Sequence, residues 1–143
     1  MQRTALKNHT PTLSAAVLCA ALLSATAAHA QHPALQKAGD VQYVCGGIGI
    51  DESTAMRAAM KDYPLSLLFA TKSGDYLAKI QVVIADGKGQ EVAQFQAQGP
   101  VCLLRLDSGR YTVKASADGG KTIDQGVEVG PAGTPGKTLD YRF

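Results

Sequence analysis

The chain has 143 residues, 45% of them hydrophobic, with 14 Lys and Arg against 12 Asp and Glu and no tryptophan. That length suits one main domain with a modest core. A net charge of +2 with no run of Lys or Arg excludes the electrostatic footprint of a nucleic-acid or anionic-membrane binder.

The first segment reads as an export signal. Arg3 and Lys7 supply a basic start, and residues 13–28 form an Ala- and Leu-rich apolar run. The run falls short of the ~20 residues that a membrane-spanning helix needs. Ala28, His29 and Ala30 provide small residues for a signal peptidase, so cleavage is expected after Ala30. Cys19 follows Ala16, Val17 and Leu18, whereas a lipoprotein signal places Leu three residues before its cysteine and a small residue directly before it. The expected product is therefore a soluble periplasmic protein with no stable membrane insertion. Without Arg3 and Lys7 its acidic and basic side chains are equal in number.

Residues 31–40 are short, polar and contain Pro33, and predict a flexible N-terminal arm ahead of one β-sandwich domain over residues 41–143. From Val41 the apolar pattern is mostly period two. Val41, Tyr43 and Cys45 share a face, followed after a helix by Leu65, Leu67 and Phe69. Residues 71–75 form a turn. Ala78, Ile80, Val82 and Ile84 predict the next strand, and "DGKG" at residues 86–89 is the strongest hairpin signal. Ala93, Phe95 and Ala97 precede Gly99 and Pro100; Cys102, Leu104 and Leu106 come next. The cleanest alternation sets Tyr111, Val113, Ala115 and Ala117 against Arg110, Thr112, Lys114 and Ser116. Ile123, Gln125, Val127 and Val129, then Leu139, Tyr141 and Phe143, complete the set. Seven or eight short strands at about ten-residue spacing predict a mainly β, antiparallel sandwich.

One helix is expected at about residues 51–62. Asp51 is placed to cap it, Glu52 sits in its first turn, Lys61 lies near its end and Pro64 stops it. Met56, Ala59, Met60 and Tyr63 form one apolar stripe, read as packing over the sandwich. The preceding Gly46, Gly47 and Gly49 invite comparison with a phosphate-binding loop. A dinucleotide fingerprint requires glycine where Glu52 stands, a P-loop requires Gly-Lys-Ser/Thr where Gly49, Ile50 and Asp51 stand, and the two acids occupy the end that a phosphate would take. These glycines are expected to turn the chain sharply between strand and helix.

Cys45 and Cys102 remain after cleavage, both on the inward phase of their strands. In an oxidising compartment such a pair predicts a disulfide, here across the sandwich; two buried free thiols are the alternative.

Residues 106–113, with Leu106, Gly109, Tyr111 and Val113 in an L-x-x-G-x-Y-x-V pattern, resemble the carboxypeptidase regulatory-like domains, which have a transthyretin-like sandwich. That resemblance implies structural roles for Gly109 in the turn and for Tyr111 as the first inward residue after it. The opening "YVCGGIGIDESTAM" at residues 43–56 is also similar to that of small exported proteobacterial proteins. Hydroxyisourate hydrolases share the transthyretin-like fold, and "DYRF" at residues 140–143 superficially resembles their Tyr-Arg-Gly-Ser ending. They use histidines around that tail, however, and no histidine follows His32 here.

Histidine-dependent nucleophilic catalysis lacks a base on the sandwich, and "DGKGQE" is too sparse in oxygen ligands for a calcium loop. No catalytic, cofactor-binding or metal residue is assigned. The expectation is a non-enzymatic exported interaction or structural module with a protein or peptide partner. The alternative is a periplasmic carrier of a small ligand or of copper, the latter using His29, which becomes the first residue if cleavage falls after Ala28, and the nearby His32.

Overall fold

The computed structural model describes residues 33–143. The expected signal, its cleavage site, Cys19, His29 and His32 lie outside the described residues. The elements are β1 (Gln36–Ala38), β2 (Val41–Gly46), α1 (Ile50–Ala59) running into a 3-10 turn (Met60–Asp62), β3 (Leu65–Ala70), β4 (Ile80–Asp86), β5 (Glu91–Ala97), β6 (Val101–Arg105), β7 (Gly109–Ser116), β8 (Thr122–Val129) and β9 (Lys137–Arg142). They form a five-stranded sheet in the order β1-β2-β6-β3-β9 and a four-stranded sheet in the order β5-β4-β7-β8. No helix among the described residues is long and apolar enough to cross a membrane.

The predicted inward faces meet between the two sheets. Leu65, Leu67 and Phe69 from one sheet, and Ile80, Val82 and Ile84 from the other, are all buried in a single cluster. Because period-two strands put every second side chain on one face, burying that face fixes the register. Tyr141 joins the sheets chemically as well. It is 0% exposed, lies 5.5 Å from the Phe69 ring, and donates its hydroxyl to the Val113 carbonyl at 2.7 Å.

A third layer covers the five-stranded sheet from outside. Met56 is buried against Val44, Val101 and Leu103, with Ala59, Met60 and Tyr63 partly buried beside it. The helical stripe thus packs as expected, and it explains why β6 is buried on both faces over Val101–Leu104. The helix begins at Ile50 behind Gly49, whose φ is 89°, and no side chain caps it. Asp51 is not the cap; it lies inside the first turn with Glu52, where both carboxylates face the positive end of the helix dipole.

Several other expectations are corrected. Residues 36–38, placed in the loose arm, pair with β2, Gln36 opposite Tyr43 and Ala38 opposite Val41. The sandwich is not wholly antiparallel, because β9 runs parallel to β3 from Leu65–Lys137 to Ala70–Arg142. The chain leaves β8, crosses back over residues 130–136, and docks at the start of β3, where the Lys137 amide donates to the Pro64 carbonyl at 2.9 Å. Ala78 is exposed and outside β4. Lys79, the one non-glycine with positive φ (59°) among the described residues, breaks the phase there, and Leu77 packs on the core instead.

Candidate functional site

Cys45 and Cys102 form a disulfide, with Cα atoms 4.1 Å apart. The bridge does not span the two sheets. β2 and β6 are adjacent antiparallel strands, and the two cysteines stand directly opposite each other in that ladder. Direct opposition brings side chains close enough to bridge when the pair is of the non-hydrogen-bonded kind. The staple therefore locks β2 to the central strand of the helix-covered sheet.

Gly109 and Tyr111 lie at the start of β7. Gly109 has a positive φ of 158°, a backbone conformation that L side chains rarely adopt, and a Cβ there would meet the Tyr111 ring at 3.6 Å, an ordinary contact. Tyr111 has the predicted inward phase, but its ring is only half-buried at the rim of the core. The ring folds back so that its hydroxyl donates to the Asp107 carbonyl at 2.9 Å. Burial raises the hydroxyl pKa, and the nearby charges of Asp107 and Asp86 add to the effect. Tyr111 thus clamps the β6–β7 turn.

The glycine-rich loop is explained by packing. A Cβ on Gly46 would run into the Glu52 carboxylate and approach Met56 Sδ and Pro33 Cγ at 2.8 Å. Gly47 (φ 92°) and Gly49 (φ 89°) occupy the left-handed region. Only the smallest residue lets β2 end under the helix that follows it. Between these glycines the loop exposes Ile48 (66%) and, at the helix start, Ile50 (84%).

Among the described residues no three His, Cys, Asp or Glu side chains converge as metal ligands. The hairpin acid Asp86 is occupied structurally: its Oδ1 accepts from the Lys88 and Gln90 amides, each at 2.9 Å.

Two features of the surface were not located by sequence. One is the edge of β5. The Asp40 amide donates to the Val92 carbonyl at 3.3 Å, so the Val92 carbonyl points away from β4. Lateral direction alternates along a strand, which turns the backbone groups of Gln94 and Gln96 outward too. Their side chains are exposed and neutral, and the Gln98 amide donates to the Gln96 side-chain oxygen at 3.0 Å.

The second is a cleft of about 920 Å³ at the β6–β7 end, walled by residues 61–64, 105–108 and 130–135. Arg105 places its guanidinium carbon 4.9 Å from the centre of the Tyr63 ring and has no ion-pair partner among the described residues. Lys61 and Asp62 form an exposed pair at 3.4 Å. The loop wall is braced: the Thr134 amide and hydroxyl both donate to the Pro131 carbonyl, at 3.1 and 2.7 Å, and a Cβ on Gly136 would collide with the Tyr63 carbonyl. No family model, curated protein or solved structure matches this chain.

Proposed function

We propose that this chain is a non-enzymatic β-sandwich module that acts in the periplasm, after removal of residues 1–30, by engaging another polypeptide. The observation that carries the reading is the β5 edge. An edge strand offers unpaired N–H and C=O groups to an incoming chain, and proteins usually blunt it with Lys, Pro, bulges or brevity. β1 is three residues long. β8 carries Asp124 and Glu128 on its outward phase and is tied to β9, where the Gln125 side-chain amide donates to the Asp140 carbonyl at 2.8 Å. β5 is guarded at its start, by a bulge at Val92 and by the Asp40 amide on the Val92 carbonyl, but over Gln94 and Gln96 it carries neutral side chains with no Lys or Pro. The likeness of residues 106–113 to carboxypeptidase regulatory-like domains is in keeping with a binding scaffold. The disulfide is in keeping with an oxidising compartment.

Site-specific photocrosslinking in living cells tests this. The same polypeptide adduct is expected from probes at Gln94 and Gln96 and not from a probe at Asp124. Absence of a polypeptide adduct at β5 refutes the proposal. The second reading, a small-ligand carrier, draws on the cleft beside Arg105. Native mass spectrometry showing a stoichiometric small molecule or copper would favour it.

A further inference from the structure

We infer that the cleft at the β6–β7 end is a binding site for a short peptide ending in a free carboxylate, with Arg105 as the carboxylate-binding residue. The inference rests on the polypeptide-engaging reading but uses none of the β5 residues. Arg105 is exposed at the end of β6, and its guanidinium lies over the Tyr63 ring at 4.9 Å. Stacking on one face orients a planar guanidinium while leaving its edge donors free, and that edge matches a carboxylate bidentately. The three salt bridges among the described residues involve other side chains, so the Arg105 charge is available. Lys61 and Asp62 line the same cleft as a pair 3.4 Å apart, which leaves Arg105 as its unpaired cation among the described residues.

The rest of the lining favours a peptide over a bare acid. Asp107 and Ser108 stand beside Arg105 in the cleft wall, supplying an acceptor and a hydroxyl for the ligand's amide groups. Pro64, Pro131 and Pro135 give the cleft rigid apolar surfaces. The opposing loop is held in place by the Lys137 amide on the Pro64 carbonyl at 2.9 Å and by the Thr134–Pro131 turn, so little ordering is required when a ligand enters. At about 920 Å³ the cleft lies within the ~300–1,000 Å³ typical of sites for drug-sized ligands, enough for about three residues.

The probe is N-acetyl-trialanine with a free carboxylate, titrated into the mature protein and followed by backbone amide shifts, with the carboxamide form and acetate as comparisons. The free-acid peptide is expected to shift Lys61, Tyr63, Arg105, Ser108 and Gly133. The carboxamide form, or Arg105→Gln with the free acid, should bind about tenfold or more weakly, the loss expected for a charge-assisted hydrogen bond. Lys121→Gln, in the β7–β8 turn at the other end of the sandwich, should bind as wild type does. Core amide shifts of Arg105→Gln establish that it folds. Equal binding of acid and carboxamide, an unchanged Arg105→Gln, acetate binding as well as the peptide, or no shifts at millimolar peptide would each overturn the site. Shifts confined to Gln94 and Gln96 would overturn the cleft while leaving the β5 edge standing.

Discussion

Replacing Tyr141 with Phe removes one oxygen from the middle of the sandwich and little else. The ring is fully buried and stays packed near Phe69, whereas the hydroxyl bond to the Val113 carbonyl, 2.7 Å long, disappears. Val113 stands opposite Gln125 in the β7–β8 ladder, so the backbone pairing of the two strands survives. Loss of one buried neutral hydrogen bond, plus the small void, should cost about 1–2 kcal/mol. In a domain of this size that lowers the melting temperature by about 4–8 °C. The pH dependence is more diagnostic. Burial, followed by the charge of Asp124, raises the Tyr141 pKa far above its ordinary 10.0. The folded protein keeps this proton at pH values where the unfolded chain has released it. This contribution to stability is therefore fully present below pH 10 and is lost as pH rises above it, at up to about 1.4 kcal/mol per pH unit. The raised Tyr111 pKa acts in the same direction. Urea unfolding from pH 7 to pH 11 should show wild type declining above pH 10 and Tyr141→Phe declining less steeply by up to one proton. Parallel alkaline declines in the two proteins, or no loss at pH 7, would refute the inter-sheet role of the hydroxyl.

Five further outcomes are expected. Removing the Cys45–Cys102 bridge by paired Ser substitution should destabilise the protein by about 2–4 kcal/mol in urea, and unfolded, unreduced mature protein should show no free thiol. Tyr111→Ala should cost about 2–3 kcal/mol, below the ~3–5 typical of a fully buried ring, because its ring is half-exposed. Arg110→Ala, which loses only an exposed 3.8 Å pair with Glu128, should stay within about 0.5 kcal/mol of wild type by the same unfolding measurement. Gly46→Ala should cost about 2 kcal/mol or more through overpacking, with altered amide shifts along α1, since its new Cβ presses on Met56 and Glu52. Intact mass of the protein recovered from a periplasmic extract should place its first residue at Gln31.

The strands were legible where alternation runs unbroken, as in Ile80–Ile84 and Tyr111–Ala115, because burying one face of a sheet demands that pattern. Pairing partners were not. Nothing in Leu139 and Tyr141 distinguishes a strand laid parallel to β3 from one laid antiparallel, and β1 is too short to carry a period. The cysteines' inward phase correctly suggested a bridge, but two inward residues on adjacent strands look the same in sequence as two on facing sheets. A readable signal for the helix cover did exist: Val44, Val101 and Leu103 are apolar on the outward phase, where a solvent-facing sheet would be polar. The glutamines at positions 94, 96 and 98 are visible in sequence, but their position on an edge is a consequence of strand order. The cleft has no linear signature at all, since Tyr63 and Pro131 come from two separate connections and Arg105 from the end of β6.

The parallel pairing of β9 with β3 sets a condition on the order of assembly. Phe69 finds Tyr141 and Leu65 finds Lys137 only after the chain has traversed the whole four-stranded sheet. Closing so long a loop is slow in entropy terms, and domains dominated by such distant contacts fold in about milliseconds to seconds. The β4–β5 and β7–β8 hairpins can form locally, but the sheet that carries the disulfide stays open at the β3 edge until residues 137–142 arrive. A chain shortened before β9 would leave β3 as a bare apolar edge and expose the buried row of Leu65, Leu67 and Phe69 to other chains. Completion of the five-stranded sheet therefore waits on the last strand of the chain, and a chain that lacks it is the form most prone to aggregate.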